Sequence, residues 1–172
     1  VLRVKDVDTF VTFKNIPDAY SANTLKYTVS PQTAQFNVFV DEYDKTTACS
    51  VGTIDFKSLS PSKNVFVFSG ESTDVVEGSV DEFVVEVNMD DFSEEYMTLS
   101  AESIKVNNPN NKDYKISDFS KSVVIIGTEE DLKSITKDMI KVEVDLSQVE
   151  WKAGETVTVS AIVSVNKSTC WV

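Results

Sequence analysis

The sequence predicts an all-β protein with one short helix, built as two small tandem β units, and three observations carry that prediction. The 172 residues include 27 Val and 9 Ile against 6 Leu and 7 Ala, with 10 Phe, 5 Tyr and 15 Thr. β-Branched and aromatic side chains suit a pleated, half-buried surface, and the strong helix formers are scarce. Apolar and polar residues also alternate in short runs bounded by Asn, Asp, Ser, Gly or Pro, as strands of a sandwich or barrel should be. Ten such runs fit two units of about 85 residues each better than one large domain.

In chain order the runs cover 9–13, 25–29, 35–40, 48–55, 64–68, 82–87, 96–106, 122–126, 139–145 and 155–165. Within 35–40, Phe36, Val38 and Val40 alternate onto one face, which is core behaviour, while Phe39 points the other way. Phe66 and Phe68 share a face of their own strand. Turn-prone stretches at 15–23, 58–63, 70–79 and 107–113 separate the runs. In the last of these, Asn-Asn-Pro-Asn-Asn-Lys-Asp favours local side-chain to backbone bonds over a ladder. Thr128-Glu129-Glu130-Asp131 has the form of a capping box with acids at the positive end of the dipole. Leu132 and Ile135 would share a face, so a helix is predicted over 129–136, directly after a strand ending in Gly127.

The segments around Asp55 and Asp145 resemble one another. Each ends an alternating run, as Ile-Asp-Phe-Lys and Val-Asp-Leu-Ser, and each is followed by a further run. An internal repeat of 85–90 residues is the economical reading, with units over 1–75 and 76–172. A carboxylate in that place most simply accepts backbone N–H bonds from the following turn.

Composition excludes several functions. There is no His, which removes imidazole-dependent nucleophile activation and His-ligated metals. Arg3 is the only Arg and the formal charge is −12, so phosphate backbones and anionic lipid surfaces are poor partners. The five glycines are isolated, so no loop of the GxGxxG or Walker type exists to cradle a phosphate. Cys49 and Cys170 read as buried free thiols, with a disulfide as the alternative; they stand too far apart for a CxxC motif. The chain begins at Val1 without Met and ends in the strand-like Cys170-Trp171-Val172, which reads as a piece of a longer protein. No 18-residue apolar stretch is present.

Two kinds of candidate site come from the residues. Asp41, Glu42 and Asp44, and separately Asp90, Asp91, Glu94 and Glu95, offer carboxylates to a hard cation, but neither has the DxDxDG spacing, and solvated turns are the simpler reading. With 28 acids, close pairs arise by chance, so a glycosidase pair is not assigned. Aromatics are the second kind: Trp151 in a turn and Trp171 near the end are candidates for exposure.

The order of parts resembles a YbbR-like repeat. Ser122-Val-Val-Ile-Ile-Gly-Thr-Glu-Glu-Asp-Leu-Lys-Ser-Ile leads to Ile140-Lys-Val-Glu-Val-Asp-Leu-Ser and then Ala153-Gly-Glu-Thr-Val-Thr-Val. The first unit is similar but more diverged, with Phe13-Lys-Asn-Ile-Pro-Asp-Ala-Tyr as an opening and Asp41-Glu42 where a strand-end Gly would stand. The resemblance implies two tandem YbbR-like β units in a non-catalytic, extracytoplasmic string on the outer side of a bacterial membrane, tethered by an N-terminal transmembrane helix. Such a module acts in protein interaction or as a spacer, and family members encoded beside the membrane diadenylate cyclase bind and regulate it. It implies no catalytic, cofactor-binding or metal residue and no cofactor, and the expected partner is a protein rather than nucleic acid. The alternative is a cell-surface adhesin or carbohydrate-binding β-sandwich, for which Ala153-Gly-Glu-Thr-Val-Thr-Val would be a common strand opening.

Overall fold

A computed structural model describes residues 1–117 and 119–172, and the chain in it is mostly β with one short α-helix. It divides into two compact units, Val1–Asp90 and Asp91–Val172. The expected boundary at 75/76 is therefore corrected, because the strand over 82–87 pairs with strands of the first unit.

The first unit contains β1 (Leu2–Lys14), β2 (Tyr27–Ser30), β3 (Thr33–Phe39), β4 (Ala48–Asp55), β5 (Val65–Ser69) and β6 (Glu82–Val87). Only residues 9–13 of β1 are predicted, since charges at Arg3, Lys5, Asp6 and Asp8 hide the alternation of its first half. That half pairs antiparallel with β3, from Leu2 opposite Phe39 to Asp8 opposite Thr33. The second half pairs parallel with β4, from Asp8 opposite Ala48 to Lys14 opposite Asp55. One strand thus serves two ladders that meet at Asp8.

A register shift sets Phe10 opposite Ser50 and Val11 opposite Gly52, leaving Val51 as an extra residue. The bulge explains why Val51 and Ile54, three residues apart, are both buried where strict alternation would put them on opposite faces. Gly52 is required here: an added Cβ would lie 2.3 Å from the Phe68 ring. The second sheet has the order β2-β6-β5, with β6 antiparallel to both neighbours. Phe83, Val85 and Val87 of β6 are fully buried and alternate with Glu82, Val84 and Glu86. Each such burial is worth roughly 1.5–3 kcal/mol. Phe83 stacks on Phe36 with ring centroids 6.3 Å apart.

The second unit contains β7 (Ser93–Ser100), β8 (Ile104–Asn107), β9 (Ser120–Gly127), α1 (Glu129–Leu132), β10 (Ile140–Asp145) and β11 (Ala161–Val165). β7 pairs antiparallel with β9, β8 pairs parallel with β10, and β11 lies antiparallel on the other side of β10. The run expected over 96–106 is broken by a 3-10 turn at Ala101–Ser103. The run expected over 155–165 yields only β11, because Glu155 closes a local turn: its N–H donates to the Lys152 carbonyl at 3.0 Å and its carboxylate accepts from the Lys152 N–H at 2.9 Å.

Helix α1 is capped as predicted, with Thr128 Oγ1 accepting from the Asp131 N–H at 3.2 Å, but it runs for one turn rather than to 136. The chain tightens into shorter bonds, Ser134 N–H to Asp131 O and Ile135 N–H to Leu132 O, and Thr136 is extended. Leu99, Val123, Ile125, Leu132, Ile140, Val142 and Cys170 form the core of this unit.

Candidate interaction surface

The two Asp-centred turns are the most regular polar feature of the molecule. Asp55 Oδ1 accepts the Lys57 N–H at 3.0 Å, and Asn15 Nδ2 donates to Asp55 Oδ2 at 2.8 Å. In the second unit Asp145 Oδ1 accepts the Ser147 N–H at 2.9 Å, and Asn107 Nδ2 donates to the same oxygen at 3.1 Å. Backbone and side-chain bonds from Ser147 hold the Asp145 carboxyl below its usual range against the opposing effect of burial, with a lesser contribution from Asn107. The residue after each Asp is buried: Phe56 lies against the rings of Tyr20 and Phe13, and Leu146 is likewise enclosed. Each turn then closes in the same way, by Leu59 N–H to Phe56 O and Val149 N–H to Leu146 O. These carboxylates tie a parallel strand pair to the turn that follows it.

In the acidic clusters, two carboxylates have side-chain partners, Glu42 and Glu94. Asp41 and Glu42 sit in a 3-10 turn at Val40–Glu42, and Glu42 pairs with Lys45 at 3.5 Å. Tyr96 donates to Glu94 at 3.2 Å, and the Asp90 N–H donates to Asn88 Oδ1 at 2.9 Å. Among the described residues no three metal-ligating side chains come together. Cys49 is half-buried and Cys170 buried, and both are free thiols. Burial pushes both thiols up in pKa, with the Asp74 charge adding to the effect at Cys49, which keeps them protonated and weakly nucleophilic.

Two aromatic expectations and one aliphatic one are settled by position. Trp171 is buried, exchanges two backbone bonds with Ile126 at 2.7 and 2.9 Å, and meets Phe92 edge-on at 5.3 Å. Trp151 is half-buried beneath the Lys112 ammonium, 4.8 Å from the ring centroid. Val40 is exposed, contrary to the core face assigned to it, because the chain leaves β3 for the 3-10 turn at that residue.

An apolar patch is exposed on the first unit. Leu2 stands opposite Phe39 across β1 and β3, and with Val4 they are 52%, 62% and 49% exposed. Val40 extends the patch, and its N–H reaches the Val1 carbonyl at 3.2 Å. Arg3 and Lys5 alternate with these residues onto the opposite face. There the Tyr43 ring takes both cations, Arg3 Cζ at 4.4 Å and Lys5 Nζ at 4.9 Å from its centroid. That clamp holds the strand end on the face opposite Leu2 and Val4, whose own face continues into the exposed Asp6 and Asp8. Contiguous exposed apolar side chains make this patch a candidate interaction surface. The outward direction of Phe39 is the only part of the patch legible in the sequence; Leu2 and Val4 lie in the unpredicted half of β1.

No protein-family model matches this chain, and neither the curated proteins nor the solved structures compared with it include a match.

Proposed function

We propose that this chain is a non-catalytic, YbbR-like β-repeat module of a membrane-anchored bacterial protein, working outside the cytoplasm in protein interaction and as a spacer. Its partner is a membrane protein, a regulated enzyme such as a diadenylate cyclase being the case that the resemblance suggests. The observation that supports this reading is the exposed apolar patch of Leu2, Val4 and Phe39, while the Asp55 and Asp145 carboxylates are held in structural turns.

The test is retention from membrane extract on immobilised protein, with mass-spectrometric identification and a Phe39→Asp variant alongside. The expected result is recovery of a membrane protein by the parent chain and its loss with Phe39→Asp. Binding on a glycan array with nothing retained from the extract would replace this reading with the adhesin class.

A further inference from the structure

Charge is divided unevenly along the first unit. Residues 1–63 hold seven Asp and Glu against seven Lys and Arg, whereas residues 64–90 hold seven Asp and Glu and no Lys or Arg. The net side-chain charge of the unit, −7, therefore falls entirely on β5, β6 and the chain that joins and follows them.

The outer face of the sheet β2-β6-β5 shows what that charge surrounds. Along β6, Glu82, Val84 and Glu86 point outward and alternate with the buried Phe83, Val85 and Val87. The register sets Val84 opposite Val67 and Glu86 opposite Val65. Val65, Val67 and Val84 are 52%, 56% and 40% exposed, although Val84 lies on the central strand. Glu82 and Glu86 flank Val84 along β6, separated by about 13 Å of strand. Ser69, opposite Glu82, also lines a concavity with Glu71, Glu77 and Asp81, which adds acids at one end of the face. Among the described residues, the ion pairs formed by Lys45, Lys112, Lys133 and Lys167 involve none of these carboxylates.

A solvated face has a different make-up. In the second unit the central strand β10 turns Lys141, Glu143 and Asp145 outward, with Lys105 opposite Glu143 on one side and the exposed Ile162 on the other. Both signs of charge surround the apolar side chain there. On β5 and β6 the valines adjoin one another and the charge is of one sign, an arrangement that repels itself and is relieved by a cationic partner.

We propose that this face docks an amphipathic helix of a partner protein, with an apolar stripe on Val65, Val67 and Val84 and with Lys or Arg on its flanks for Glu82 and Glu86. β6 is already bonded on both sides, by β2 and β5, so a further layer rather than a further strand covers the valines. A helix about 10 Å across spans the two strands that carry them, which lie about 4.8 Å apart. Such docking rests on the protein-interaction role proposed above and specifies the form of one partner.

The test uses the full chain and a fluorescent synthetic helix of leucine and lysine, about 18 residues or roughly 27 Å long, with the leucines on one face. One control peptide has the same residues in an order without a stripe, and another has glutamate in place of lysine. Saturable binding of the first peptide alone, read by polarisation and weakened by added salt, is expected. Glu82→Gln with Glu86→Gln should weaken it about tenfold. Val67→Thr with Val84→Thr, which keeps β-branched side chains on the strands, should weaken it about fivefold. Glu129→Gln with Glu130→Gln removes equal charge from α1 and should leave binding unchanged. No saturable binding, or equal loss in the two glutamine variants, would overturn the proposal, the second outcome leaving only diffuse attraction of a polycation. Loss with the glutamines at 82 and 86 and none with the threonines would overturn it in the same way. If peptide binding fails, retention of a membrane protein that is lost with Phe39→Asp keeps the proposed function in place without this face.

Discussion

The two units solve one problem in different ways. Each pairs the first part of its leading segment antiparallel and the second part parallel, but the first unit runs both ladders along the continuous β1, whereas the second divides the work between β7 and β8 across a 3-10 turn. The first unit adds β6, which fills the middle of a second sheet, and the second unit instead sets β11 directly against β10. A shared strand plan therefore does not dictate a shared closure. What differs is the partner of the strand that follows the Asp turn: β6 for β5, and β10 itself for β11.

The sharpest way to break this comparison is to remove the closing strand's anchor. Phe83→Ala should cost about 3–5 kcal/mol, because it deletes a fully buried ring stacked on Phe36. Denaturant titration gives the magnitude, and hydrogen exchange should show lost protection in β2 and β5, which bond only to β6 in their sheet. Unchanged protection there would mean that β6 is not what closes the unit.

A smaller loss, about 1–3 kcal/mol, is expected from Gly70→Ala. Its Cβ would fall 1.9 Å from the Val80 carbonyl oxygen, where the chain turns between β5 and β6, so backbone must shift. Thermal melting against the parent protein measures it. Asp55→Ala should cost about 1 kcal/mol, the usual value of a lost cap, because Lys57 N–H and Asn15 Nδ2 lose their acceptor. Asp145→Ala should destabilise in the same direction, and an effect confined to one of the two would show that the turns are not equivalent.

The smallest effect is a pH dependence particular to the second unit. Burial would raise the Asp131 carboxyl, but hydrogen bonds from Thr128, Lys167 and Thr169 and the Lys167 charge outweigh it and hold the group below its usual range. A carboxyl depressed on folding adds stability that is present above its unfolded value, about 3.9, and is lost as pH falls through the folded value. Melting temperatures followed from pH 7 to pH 2 should therefore drop less steeply for Asp131→Asn. Parallel profiles for parent and variant would rule the contribution out.

Local chemistry was legible where its cause was local. The bounds of β4 and β6, the Thr128 cap and the Asp55 and Asp145 turns follow from alternation and from short-range bonding. The break at Ala101–Ser103 and the exposure of Val40 depend on where a strand leaves its neighbour, which alternation does not record. Trp171 is buried through bonds to Ile126, a residue 45 positions away, so its place belongs to the tertiary fold. The boundary shifted to Asp90/Asp91 for the same reason: β6 reads as an isolated strand, and its membership is decided by pairing with β2 and β5. The apolar patch is not legible in the sequence because Arg3, Lys5, Asp6 and Asp8 break the alternation around Leu2 and Val4.

The central place of β6 also governs when the first unit can assemble during synthesis. β2 and β5 do not bond to each other; Tyr27 pairs with Val87, and Ser69 with Glu82. On a ribosome adding about 5–20 residues per second, β2 waits several seconds after emerging before its neighbour has been made. Through that interval the unit holds unpaired strands and an uncovered core, and the nascent chain gains its second sheet only once Val87 has cleared the exit tunnel.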